Sequence, residues 1–124
     1  MKLWIDDIRP APSEDWTVAK TVTSAIRALA RFGFDEISID HDISHQVTVG
    51  SLGRPYPCDE CFCAVAYYLF AKFVDKPKVL FPKITLHSSN PVGAKEMFDI
   101  LRNCEIVAEI KPTNKPANRL EMEI

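Results

Sequence analysis

The chain has 124 residues, 47% hydrophobic and 26% charged, with a formal net charge of −2 at pH 7. That length and balance fit one ordinary globular domain with a single core. Without a basic field, extended nucleic-acid binding is not expected, although a nucleic-acid end as substrate stays open. No apolar run approaches the ~20 residues of a membrane span, so no membrane partner is expected. Met1-Lys2-Leu3-Trp4-Ile5-Asp6 turns acidic too early for a signal peptide. A cytoplasmic chain with its four cysteines as reduced thiols is therefore expected.

In chain order, residues 2–5 read as a buried first strand followed by a Pro-rich loop, and Trp16-Thr17-Val18-Ala19 as a second strand. Only about ten residues separate them, fewer than a helical crossover takes, so an extended loop or an unusual pairing is expected. Thr21 or Thr23 caps a helix carrying Val22, Ala25, Ile26, Leu29 and Ala30 at helical spacing, with Gly33 as its C-terminal glycine. Glu36-Ile37-Ser38-Ile39 alternates as a third strand and runs into Asp40-His41-Asp42.

Residues 43–57 lack periodicity and read as a long loop, a length often given to functional lids. From Asp59, the residues Phe62, Val65, Ala66, Leu69, Phe70 and Phe73 mark a second helix, with Cys61 on its apolar side. A connection with two prolines leads to a fourth strand at 84–86, which ends in His87-Ser88. Asn90 caps a third helix with Pro91 as its first residue and Ala94, Met97, Phe98 and Leu101 inward. Residues 106–110 form a fifth strand ending in Lys111-Pro112. A link at 114–118 and the alternation of Leu120, Met122 and Ile124 give a final edge strand, open to antiparallel pairing.

This order is that of a single α/β domain over 1–124: a doubly wound, mostly parallel sheet of flavodoxin-like type with a reduced first crossover. With strand order 2-1-3-4-5, the ends of the first and third strands bring Asp6, Asp7 and Asp40 together. The fourth and fifth strand ends add His87, Ser88 and Lys111.

Carboxylates converging in one pocket repel unless a cation sits among them. Mg²⁺ is the natural counter-ion for Asp6, Asp7, Asp40 and Asp42, with Mn²⁺ as the alternative. The competing reading makes these acids turn and cap residues at strand ends. His41 and His87 are candidate acid or base groups; either is otherwise an ordinary structural histidine. Ser88, Ser89, Asn90 and Lys111 are candidate phosphate contacts, supported by backbone N–H groups at a helix start. Cys58 and Cys61 form one C-x-x-C without the second pair that structural zinc normally takes, so zinc there is not expected.

Leu3-Trp4-Ile5-Asp6-Asp7-Ile8-Arg9-Pro10, Ile37-Ser38-Ile39-Asp40-His41-Asp42 and His87-Ser88-Ser89-Asn90-Pro91-Val92-Gly93 resemble the signatures of the cyclic-phosphate-processing receiver-like domains, relatives of response-regulator receiver domains. The resemblance spans roughly residues 1–103 and leaves 104–124 as a strand pair beyond it. It implies a receiver fold and a role in handling cyclic phosphate ends, as in RNA repair. It also implies that Asp6 and Asp7 match the receiver's Mg²⁺-binding acids, Asp40 the phosphoacceptor, Ser88 the small hydroxyl residue and Lys111-Pro112 the lysine–proline pair. His41, Asp42, His87 and Asn90 match the family's own additions. The chain departs from ordinary receivers in lacking the first helix and in its cysteine cluster.

Three functions follow as expectations. The first is a metal-dependent hydrolase acting on cyclic phosphate ends of a nucleotide or RNA, the partner being a small phosphorylated ligand or a nucleic-acid end. The second is a phosphate-binding or Asp-phosphorylated regulatory module without turnover. The third is a structural interaction protein with a cysteine-based zinc clip.

Overall fold

The computed structural model describes residues 1–42 and 61–113. Its elements run β1 (Lys2–Ile5), β2 (Trp16–Ala19), α1 (Val22–Arg31), β3 (Glu36–Ile39), α2 (Cys63–Phe73), β4 (Lys83–Ser88), α3 (Pro91–Arg102) and β5 (Glu109–Pro112). A 3-10 turn at Lys78–Leu80 precedes β4. The loop expected at 43–57, the Cys58 half of the C-x-x-C, the helix start at Asp59 and the final strand at 120–124 lie outside the described residues. No helix among the described residues is long and apolar enough to cross a membrane.

The five strands form one sheet in the order β2-β1-β3-β4-β5, and each neighbouring pair is parallel. This is the flavodoxin-like order expected from the sequence, with the chain reversing its direction of growth between β1 and β3. Strand side chains alternate between faces. Leu3, Ile5, Ile37, Ile39, Ile84 and Leu86 share one face, where they join α1, α2 and α3 in a single buried cluster. α1 touches α2 and α2 touches α3, so the helices lie side by side in one layer. Each fully buried aliphatic side chain there contributes about 1.5–3 kcal/mol.

Trp4 is buried yet stands outside that cluster. By alternation it lies on the opposite face, beside Ser38, Thr85 and His87, all buried. The sheet therefore has an apolar face under helices and a second face built from polar and aromatic groups.

The first crossover, residues 6–15, contains no helix. Asp6 makes this possible: its Oδ1 accepts the backbone N–H groups of Ile8 and Arg9, each at 3.0 Å. That turns the chain back at once, and the Trp4 indole N–H donates to the Arg9 carbonyl at 2.9 Å.

Local chemistry explains most element ends. Thr21 and Ser24 form a capping box at α1, and Asn90 caps α3 by accepting the Gly93 N–H, with Pro91 at the first position. Other expectations need correction. α1 closes at Phe32 in extended backbone, so Gly33 does not serve as a left-handed cap. Cys61 precedes α2 instead of lying on it: it pairs with Asp42 in an isolated antiparallel bridge, and the Phe62 N–H donates to the His41 carbonyl at 2.7 Å. β4 continues through Ser88, which places His87 and Ser88 within the ladder. The fifth strand starts later than expected. Glu105 adopts φ 70 and the Ile106 N–H returns to the Leu101 carbonyl, so the chain is still leaving α3 there, and pairing begins at Glu109 opposite Thr85.

Candidate functional site

Ladder hydrogen bonds run just past the strands: the Asp6 N–H donates to Ala19 and the Asp40 N–H to Ile5. This holds the first residues after β1 and β3 side by side. Asp6, Asp7 and Asp40 consequently offer carboxylate oxygens that all lie within 4.8 Å of one another. Arg9 enters the same cluster, its Nη1 being 3.4 Å from Asp6 Oδ2 and 3.3 Å from Asp40 Oδ2. Asp40 Oδ1 accepts the His41 backbone N–H at 2.8 Å.

The two central acids titrate differently. Burial works to raise Asp6, but hydrogen bonds from His87 and from the Ile8 and Arg9 N–H groups outweigh it and hold the carboxyl below its usual range. Burial and the neighbouring Asp6 charge push Asp40 up to about 7, against the pull of Arg9. One acid is fixed as an anion and the other is poised near neutrality.

His87 reaches the cluster from the polar face of the sheet. Its Nε2 lies 2.9 Å from Asp6 Oδ2 and its Nδ1 lies 2.7 Å from Ser38 Oγ. A carboxylate only accepts, so Nε2 carries the hydrogen, and in the neutral ring Nδ1 accepts a hydrogen bond from the Ser38 hydroxyl. The imidazole stacks on the Trp4 indole with centroids 3.9 Å apart and planes 10° from parallel. Position, tautomer and tilt are thus all set by neighbours.

His41 belongs to a different set. Its Nδ1 lies 2.6 Å from Asp42 Oδ1, and Asn90 Nδ2 donates to the same oxygen at 3.2 Å. Burial opposes the charged ring, yet the Asp42 hydrogen bond and the nearby Cys61 sulfur outweigh it and push His41 up to about 10. A Cβ added at Gly93 would collide with this ring, so α3 accepts His41 only because residue 93 is glycine. A ring nitrogen of His41 and the sulfurs of Cys61 and Cys63 lie within 4.8 Å of one another.

The sequence-derived site thus resolves into two linked groups. Asp6, Asp7, Asp40 and His87 come together. His41 and Asp42 turn to α3 and the Cys61–Cys63 turn; the two groups adjoin at the backbone of Asp40 and His41, and the Asp42 charge is felt at Asp40. Ser88 is buried and its Oγ accepts the Asn90 N–H at 3.0 Å; Ser89 is half-buried beside it. Lys111 is exposed on β5 as the register partner of His87. Sequence reasoning passed over Arg9, Ser38, Trp4 and Cys63. Strand parity could have placed Trp4 and Ser38 on the face of His87, and the Asp6-to-Arg9 spacing is that of an Asx-type turn.

A parallel 2-1-3-4-5 sheet with acids gathered at its carboxyl-end switch point defines a receiver-like α/β domain. The family model for the cyclic-phosphate processing receiver domain matches residues 1–103, and the chain belongs to that family. No curated protein and no solved structure matches the chain.

Proposed function

We propose that this domain hydrolyses a cyclic phosphate at the end of a nucleotide or RNA, using the acidic cluster and His87. Membership of a cyclic-phosphate processing family supports the substrate class. The observation that carries the chemistry is the 2.9 Å contact of His87 Nε2 with Asp6 Oδ2, which joins an imidazole to three clustered acids.

Asp6, Asp7 and Asp40 present hard oxygen donors within 4.8 Å of one another, the donor type that suits Mg²⁺ or Mn²⁺. The set fits such an ion, which when bound supplies Lewis-acid polarisation of a phosphoryl oxygen. His87 holds a proton at Nε2, and Ser38 and Trp4 aim the ring before substrate arrives. Ring opening breaks one P–O bond: the ribose oxygen released takes a proton from His87, while water bonds to phosphorus and passes one of its own protons back to the imidazole, so the ring ends as it began. Lys111, beside His87 in register, steadies the phosphate charge as an exposed point cation. The start of α3, ordered by Ser88 and Asn90, favours the same anion. His41 takes no proton-transfer step in this reading, because its ring lies apart from the acidic cluster, against Asp42 and the Cys61–Cys63 turn.

The purified chain with Mg²⁺ or Mn²⁺ should cleave a 2′,3′-cyclic nucleotide, and His87→Ala and Asp40→Ala should each abolish cleavage. Unchanged activity in both variants defeats the mechanism. A mass increase at Asp40 after incubation with acetyl phosphate, with no cyclic-nucleotide turnover, would replace it with a phosphate-switch module.

A further inference from the structure

The described cysteines, Cys61, Cys63 and Cys104, are all buried, and none is joined in a disulfide. Cys104 donates to the Leu101 carbonyl at 3.3 Å and finishes α3. Cys61 and Cys63 differ, because they flank Phe62 where the chain enters α2, and both sulfurs face His41. We infer that His41, Cys61 and Cys63 form a site for a thiophilic divalent metal ion, zinc foremost, separate from the acidic cluster.

The donor chemistry selects the class of ion. Two sulfurs and an imidazole within 4.8 Å suit zinc, whereas the carboxylates around Asp6 suit Mg²⁺. The surroundings are those of a prepared ligand set. Asp42 holds Nδ1 of His41 at 2.6 Å and is itself held by Asn90 at 3.2 Å, the carboxylate support that orients a ligating histidine and leaves Nε2 for the ion. Gly93 supplies the room the ring occupies. The Asp42–Cys61 bridge and the Phe62-to-His41 hydrogen bond hold the two halves in register. Glu96 on α3 approaches the ring, with Oε1 4.0 Å from His41 Nε2, and stands outside the three-donor group.

Binding exchanges the protons carried by the Cys61 and Cys63 sulfurs and by the ligating His41 nitrogen for metal–ligand bonds and releases them to solvent; no electrons are transferred. The consequence is mechanical. The ion ties the end of β3 to the start of α2 across residues 43–60, with His41 adjacent to Asp40, so the clip braces the backbone that carries the acidic cluster. It differs from a C-x-x-C clip in using Cys63 and His41.

The test uses the full chain, reduced, stripped with a chelator and titrated with Co²⁺ and then Zn²⁺. Stoichiometric uptake with near-ultraviolet thiolate-to-cobalt absorption, displaced by Zn²⁺, is expected. Cys63→Ser and His41→Ala should each weaken binding by more than about 100-fold, and Asp42→Asn by about 10–100-fold. Cys104→Ser and Asp40→Asn should leave the absorption intact, and Cys63→His should recover zinc binding if loss of a ligand, not of the fold, is the cause. A wild-type chain without metal–sulfur absorption overturns the inference, as does a Cys63→Ser chain that binds like wild type. The readout does not depend on turnover, so its failure leaves the cyclic-phosphate reading standing, and the converse holds.

Discussion

Trp4 and His87 lie ring on ring, 3.9 Å between centroids, on the face of the sheet away from the helices. Trp4 also meets Trp16 edge-on at 5.7 Å, so a small aromatic stack backs the imidazole that contacts Asp6. Trp4→Leu should cost about 2–4 kcal/mol by urea unfolding. In the cyclic-nucleotide assay it should lower kcat about 10-fold through misorientation of His87. Trp4→Phe, which keeps a ring, should lose less of both. Equal kcat loss in the two variants would mean that the stack does not aim His87.

Arg9 lies between two acids that would otherwise repel. Its side chain is 9% exposed and those of Asp6 and Asp40 are 0% and 5% exposed, so solvent screens the group little. Arg9→Gln should destabilise the metal-free protein by about 3 kcal/mol, because it leaves buried charge without its counter-ion. Added Mg²⁺ should restore more stability to the variant than to the wild type, as a cation replaces the missing one. Thermal unfolding with and without Mg²⁺ measures both.

Asp40 sets a pH dependence whose direction follows from its shift. Its folded value is about 7 against an ordinary 3.8, so between these the folded chain holds a proton that the unfolded chain has released. Stability from this group is highest below about pH 4, falls as pH rises towards 7 and is then constant. Asp40→Asn removes the decline. Its stability relative to wild type, measured with a chelator present, should therefore rise by about 2–4 kcal/mol from pH 4 to pH 8. A difference that stays flat with pH would refute the assignment.

Gly93 and His41 should be coupled. Alanine is favoured over glycine in a helix by about 1 kcal/mol, but a Cβ at residue 93 would meet the His41 ring. Gly93→Ala should therefore destabilise by about 1–3 kcal/mol. In the His41→Ala background the same change should become neutral or stabilising. A double-mutant cycle by chemical denaturation gives the coupling.

Much of the fold was legible because its signals are local. The alternation of Leu3, Trp4 and Ile5, and of Ile37, Ser38 and Ile39, marked strands. Thr21 and Asn90-Pro91 marked helix starts, since capping depends only on residues within one turn. Less visible were features settled by competition between segments. Gly33 looked like a cap, but the chain needed extended backbone at Phe32. Residues 106–108 looked like a strand, but their first N–H was still closing α3. Cys61 fitted the helical period and was drawn instead into a bridge with Asp42.

For the site, the amino-acid sequence by itself determined that acids and imidazoles stand at the ends of buried strands, because a two-residue period and parallel ordering are written in neighbouring residues. Only the tertiary structure decided their partners: Arg9 with Asp6 and Asp40, His87 with Asp6, Ser38 and Trp4, His41 with Asp42 and the sulfurs of Cys61 and Cys63. The reason is physical. Which way a ring or guanidinium turns depends on strand register and on the packing of segments distant in the chain, and no local pattern encodes that.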